Sequence, residues 1–236
     1  MNKENKIWVV VPAAGVGKRM NSNIPKQYMM LNDQMVIEHT LSVFLQQPLV
    51  SGVVVAVSKD DGYWSSVKYA NDEKIHIADG GKERCDSVLN ALLEIKKIAD
   101  DDDWVLVHDA ARPCLTQDDL LSLINQLRTH AVGGLLAIPV RDTMKRQSHD
   151  GINVVDHTVE REGLWHALTP QMFKVGMLYD ALTTALKENT IITDESSAME
   201  HAGYSPVLIE GKASNIKVTQ PEDLLLASFF LTRQKG

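Results

Sequence analysis

The alternation of short, unbroken β-branched runs with helically spaced segments limits this chain more than any other feature. Residues 7–11 (IWVVV) show no polar alternation, as expected of a strand buried on both faces. Similar runs stand at 52–57, 75–78, 104–107, 134–140 and 207–210. Between them, apolar positions recur at helical spacing over 36–46, 83–97, 118–130, 175–188 and 194–202. Pro221 opens a closing helix over 221–233, where a first-turn proline is tolerated. No internal repeat or Pro/Ser/Gly-rich linker divides the chain. The pattern predicts an α/β fold: one layered domain over 1–236 around a mostly parallel sheet.

One stretch breaks the rhythm. Residues 140–161 carry Asp150-Gly151, a strong hairpin signal, between strands of mixed polar and β-branched residues. A polar two-stranded hairpin has too little apolar surface to stand alone in water. It either lies on its own sheet or docks on another subunit.

Composition narrows the function. With 236 residues, 44% of them hydrophobic, the chain can build a sizeable core. Its longest apolar runs fall far short of the ~20 residues that span a membrane. The opening MNKENK lacks a signal-peptide apolar region, so a cytoplasmic protein is expected. Cys85 and Cys114 are the only two cysteines, and their separation matches no zinc pattern. The 24 basic and 31 acidic residues give a net charge of −7, which disfavours a nucleic-acid partner. A small anionic ligand stays possible where Lys and Arg gather locally.

They gather on loops after the predicted strands. The first strand runs into PAAGVGKRM, with PKQ shortly after, so Lys18, Arg19 and Lys26 accompany a small-residue turn. Met20 defeats both the P-loop and the dinucleotide fingerprint. Small residues let backbone N–H groups approach a base or phosphates. DGGKERCDSV forms a second glycine turn before a helix. Asp109 follows the 104–107 strand, where a carboxylate suits either a phosphate-bridging Mg²⁺ or the cap of the next helix. Thr193-Asp194-Glu195 reads as a helix cap, Asn215 to Thr219 as a polar strand edge bearing Lys217, and Asp100 to Asp103 as a solvated loop.

Taken in order, PAAGVGKRM…PKQY, DGGKERCDSV, VHDAARP and NIKVTQPEDL, with PVRDTMKR and HTVEREGLWHALTPQMF, make residues 7–231 closely resemble the 2-C-methyl-D-erythritol 4-phosphate cytidylyltransferase family. The resemblance implies a single nucleotidyltransferase domain of glycosyltransferase-A type, working as a homodimer with Mg²⁺. It implies CMP transfer from CTP to methylerythritol phosphate, with pyrophosphate released. Arg19, Lys26 and Lys217 would serve as the catalytic cations, and Asp109 would hold the metal. Ala13, Ala14, Gly15, Gly81 and Ser87 would hold the nucleotide. Arg112, Thr169 and Thr193 would face methylerythritol phosphate, with Thr143 and Arg161 reaching it from the partner subunit's β-arm at about 140–161. The nearest rival is a cytidylyltransferase for another polyol phosphate, such as ribitol 5-phosphate. A non-catalytic nucleotide-binding subunit fits less well, because a pure binder has no need of cations at a transition state.

Overall fold

The computed structural model describes residues 5–15, 24–148 and 153–234. The chain opens with β1 (Ile7–Pro12), a small ribbon of β2 (Met30–Leu31) and β3 (Gln34–Met35), and α1 (Val36–Leu45). There follow β4 (Val50–Val57), β5 (Ile75–Asp79), α2 (Arg84–Ile95), β6 (Trp104–Val107) and α3 (Gln117–Leu127). Next come β7 (Gly133–Pro139), β8 (Met144–Gln147), β9 (Val155–Val159) and β10 (Trp165–Lys174). The chain closes with α4 (Val175–Lys187), α5 (Glu195–His201), β11 (Val207–Glu210) and α6 (Pro221–Gln234).

The expected β-branched runs all fall in a seven-stranded sheet, ordered β11-β7-β10-β6-β1-β4-β5. Alternate side chains of each central strand enter different cores. Val9, Val11 and Leu106 pack against α1 and α3, through Phe44 and Leu120 among others. Val10, Val54 and Val107 pack against α2 and α4, through Leu92 and Leu178. Strands covered on both faces carry no polar alternation, which is why the sequence shows none. Among the described residues no helix is long and apolar enough to cross a membrane.

Four expectations change. The sequence reading contains no strand over 165–174, yet β10 lies in mid-sheet, antiparallel to β6 and β7. Pro170 hides it, because proline cannot donate to a ladder. The register shifts between Ala167 and Gln171, so the proline sits where pairing is interrupted. Residues 215–219 form no strand, and Val218 is tied instead by one backbone bond to Ala111 O, 2.8 Å. Asp103 is buried rather than solvated, accepting the Lys6 N–H at 2.8 Å. The helix over 117–127 is capped by Thr116, whose hydroxyl accepts the Asp119 N–H at 3.1 Å, so Asp109 is not its cap.

The predicted hairpin exists as β8 and β9, paired antiparallel in a separate two-stranded sheet. Its Asp150-Gly151 turn lies outside the described residues. All four β8 residues are exposed.

The connections fix where a ligand can sit. From β1 the chain moves to β4 and β5 on one side, then returns to β6 on the other. Strand order therefore reverses beside β1, and the loops leaving β1 and β6 diverge there. Open α/β sheets form their ligand crevice at such a point.

Gly133 carries one steric consequence. It enters β7 at φ +112°, and a Cβ there would be driven into the Met172 backbone of β10. Gly133→Ala should destabilise the fold by about 2–4 kcal/mol, combining strain at positive φ with overpacking against backbone. Urea unfolding of the variant beside the wild-type chain measures it.

Candidate active site

A cleft of about 290 Å³ opens at the switch point. Its walls come from the loop after β1 (Ala13, Ala14, Gly15), the glycine turn before α2 (Gly81 to Arg84), Ser87 and the segment after β6 (Asp109 to Ala111). Lys26 and Lys217 line it as well. Gln27 secures the first loop, its amide donating to Ala13 O at 2.6 Å and Gly15 O at 3.0 Å. The glycine turn closes on Ser87, whose Oγ accepts the Gly81 N–H at 2.9 Å. A Cβ on Gly81 would run into Asp86, so the close approach requires glycine.

At the cleft floor Asp109 is buried and surrounded by cations. Its Oδ1 accepts from Arg84 Nε at 2.9 Å, and its Oδ2 meets Lys217 Nζ at 2.9 Å and Arg112 Nε at 3.3 Å. Burial alone would raise its pKa. The charges of Arg84, Lys217 and Arg112 instead hold the carboxyl far below the usual range. Arg84 also grips Glu195 with both Nη atoms, at 2.6 and 3.1 Å. Lys26 Nζ donates to Val218 O at 3.0 Å. Arg84, Arg112 and Lys217 outnumber Asp109 and Glu195 by one charge, and Lys26 stands near Asp223, within a chain whose net charge is −7. Such a floor suits a polyanion.

Behind Asp109 a polar relay is fully assigned by its partners. His108 Nε2 faces Arg112 O at 3.1 Å and must therefore donate. Its Nδ1 then accepts from the Thr169 hydroxyl at 3.0 Å, and Thr169 Oγ1 accepts the Asp109 N–H at 3.2 Å. Burial lowers the His108 pKa to about 4, so the ring is neutral. Arg112 donates to Asn215 O at 2.7 Å, and the Asn215 amide donates to Thr169 O at 2.7 Å.

The predicted residues are thus distributed unevenly. Ala13, Ala14, Gly15, Lys26, Gly81, Ser87, Asp109 and Lys217 share the cleft. Arg112 and Thr169 are buried behind Asp109. Thr193 is exposed beside a neighbouring hollow bordered by Arg84. Thr143 and Arg161 are exposed at the base of the hairpin, where Arg161 donates to Arg141 O. Arg19 lies outside the described residues. Sequence reasoning passed over Arg84, Glu195, Gln27 and Asn215. A cation at the first position of α2 opposes the helix dipole, and that local conflict was the available signal for Arg84.

Among the described residues no group of three or more His, Cys, Asp or Glu side chains could hold a metal ion. Asp109 offers a single carboxylate, both of whose oxygens are ion-paired. This donor set fits Mg²⁺ only where phosphate oxygens complete the shell.

Comparison with known proteins agrees with this architecture. A sequence model described as 2-C-methyl-D-erythritol 4-phosphate cytidylyltransferase matches residues 7–233. A protein of that name from Escherichia coli O1:K1 / APEC is 53% identical over 227 residues, covering 96% of this chain and 94% of its own. The Francisella tularensis protein of the same name superposes with a TM-score of 0.83 at 36% identity, covering 95% of this chain and 99% of its own. A solved 4-diphosphocytidyl-2C-methyl-D-erythritol synthase gives a TM-score of 0.84 at 37% identity, covering 98% and 100%.

The neutral His108 makes stability depend on pH. Its folded pKa of about 4 lies below the ordinary 6.5, so only the unfolded chain takes up the proton between those values. This contribution is fully present above pH 6.5 and is lost as pH falls towards 4. Linkage gives about 2 kcal/mol lost between pH 7 and pH 5 from this group. Urea titrations at both pH values check it, and a His108→Asn variant should lose that part of the slope.

Proposed function

This chain belongs to the 2-C-methyl-D-erythritol 4-phosphate cytidylyltransferase family, and we propose that it transfers the cytidylyl group of CTP to 2-C-methyl-D-erythritol 4-phosphate in isoprenoid biosynthesis. The observation that carries this reading is the cluster of Arg84, Lys217 and Arg112 around Asp109, with Lys26 alongside, on the floor of the switch-point cleft. A substrate phosphate oxygen attacks the α-phosphorus of CTP, the α–β phosphoanhydride bond breaks, and pyrophosphate leaves. A phosphate monoester has its second pKa near 6, so the nucleophile is already mostly ionised at neutral pH. No general base is required, and neutral His108 has both nitrogens committed elsewhere.

The protein's task is then positioning and charge stabilisation. Lys26 and Lys217 would flank the triphosphate, and the family resemblance adds Arg19 to the catalytic cations. Backbone groups of Ala13, Ala14, Gly15 and Gly81, with Ser87, receive cytosine and ribose. Arg112, Thr169 and Thr193 form the side for methylerythritol phosphate, Thr169 by fixing the Asp109 backbone. Asp109 would hold Mg²⁺, which would supply neutralisation of phosphate charge. The unpaired cysteines support a reducing, cytoplasmic setting.

The same reading makes the chain a homodimer with an exchanged arm. Thr143 and Arg161 are not among the cleft's lining residues, and Val154 and Val155 expose apolar surface on the hairpin. A ribbon of this kind gains its stability by docking. The partner's cleft is where a guanidinium on that ribbon could pair with a substrate phosphate.

The direct test incubates the protein with labelled CTP, Mg²⁺ and a panel of phosphorylated polyols, following pyrophosphate release. Methylerythritol phosphate should be turned over best, and preference for ribitol 5-phosphate would reassign the substrate. Lys217→Ala should lower kcat by about 10²–10³-fold, with a smaller change in the KM for CTP, because the cation gains most as charge builds in the transition state. Weakened CTP binding with kcat intact would reduce Lys217 to ground-state binding.

Mixed dimers test the arm. Lys26→Ala and Arg161→Ala subunits, each nearly inactive alone at low substrate, should recover activity when combined. With shared sites and two-fold symmetry, one site of each heterodimer carries both lesions and the other carries neither. No recovery, with heterodimers confirmed, would confine Arg161 to its own subunit.

A further inference from the structure

We propose that Glu195 is a positioning residue for cytidylyl transfer, holding Arg84 in the one orientation that anchors Asp109; the inference rests on the transfer reading above. Glu195 is 1% exposed, and its two carboxylate oxygens meet the two Nη atoms of Arg84 at 2.6 and 3.1 Å. The remaining guanidinium edge, Nε, donates to Asp109 Oδ1 at 2.9 Å. Arg84 is therefore clamped between two carboxylates, one on the cleft floor and one outside the cleft lining. A planar fork gripped in this way has little rotational freedom left.

Stability alone gives no reason for the pair. Burying a carboxylate against a guanidinium is costly, and apolar side chains of similar volume often serve a fold as well or better. Arg84 also stands at the first position of α2, where the helix dipole disfavours a cation. Glu195 offsets that conflict. Without it, Arg84 would keep only the Nε contact to Asp109, and Asp109 would lose a fixed partner on Oδ1.

The clamp is itself held from behind. Gln171 of β10 donates to Asp194 Oδ2 at 2.8 Å and accepts the Ser196 N–H at 2.8 Å. Asp194 Oδ1 caps the same turn by accepting the Ser197 N–H at 2.9 Å. Both residues flanking Glu195 are thereby fixed to one glutamine of the central sheet. A rigid path thus leads from β10 through the first turn of α5 to Arg84 and Asp109.

Steady-state kinetics with folded protein provide the test. Glu195→Gln keeps the shape and removes the charge. It should lower kcat about 10- to 100-fold, the scale on which partners that orient a ligating group act, with the KM for CTP unchanged or lowered. Glu195→Asp should restore part of the loss. Arg84→Lys keeps the charge without the fork and should reproduce the Glu195→Gln pattern, which covers the case in which Glu195→Gln does not fold. The Arg84→Ala/Glu195→Gln double variant should be no worse than Arg84→Ala within about twofold, because Glu195 acts only through Arg84. A lowered melting temperature with kcat and KM both retained would overturn the proposal, as would losses that add in the double variant. An inactive wild-type protein would strike the transfer reading itself, whereas an active one insensitive to Glu195→Gln strikes only this inference.

Discussion

Everything at the switch point depends on one buried carboxylate. Asp109 sits buried immediately beyond β6, and Arg84, Lys217 and Arg112 hold its carboxyl far below the usual range against the opposing effect of burial. Each of those cations comes from a different part of the chain: the start of α2, the irregular segment before α6, and the turn after β6. Three segments remote in sequence are therefore joined through two oxygen atoms. Removing that charge would leave three cations close together, two of them on the cleft lining, their mutual repulsion offset only by Glu195 on Arg84.

The sheet makes this convergence possible. Parallel β1, β4, β5 and β6 send their following loops to one end, and β10 enters antiparallel between β6 and β7. The interruption of β10 at residues 168–170 turns Thr169 onto the backbone of Asp109, and Gln171 onto the first turn of α5. One irregular strand thus supports the carboxylate from beneath and its outer clamp from the side.

The fold was legible where a single signal governed it. Continuous Val/Ile/Leu runs marked the strands buried on both faces, and helical spacing marked the helices packed on them. β10 was not legible, because Pro170 is a genuine argument against a central strand and only the bulge answers it. The cleft residues on glycine turns could be read from residue type and position. Glu195 could not, since it resembles an ordinary first-turn acid, and Arg84 offered only its conflict with the helix dipole until the fold brought the two to bonding distance across 111 positions of sequence. Asp109 was ambiguous between metal ligand and helix cap, and Thr116 in the capping position removes the second role. Asp103 shows the converse, one acid of a run of four turned inward to bind backbone.

The charge arrangement also bears on how an acidic chain can handle two anionic substrates. A floor lined only by cations would repel itself in the free protein, and it would pull nearby loops out of place. Asp109 and Glu195 among Arg84, Arg112 and Lys217 remove most of that repulsion and keep a small positive excess. In the proposed site an arriving triphosphate would compete with Asp109 for Lys217, whereas Arg84 would stay bound through Glu195. Arg84 is held by two carboxylates and Lys217 by one. In the proposed reaction the doubly held Arg84 would keep Asp109 in place while the singly held Lys217 turns to the phosphate.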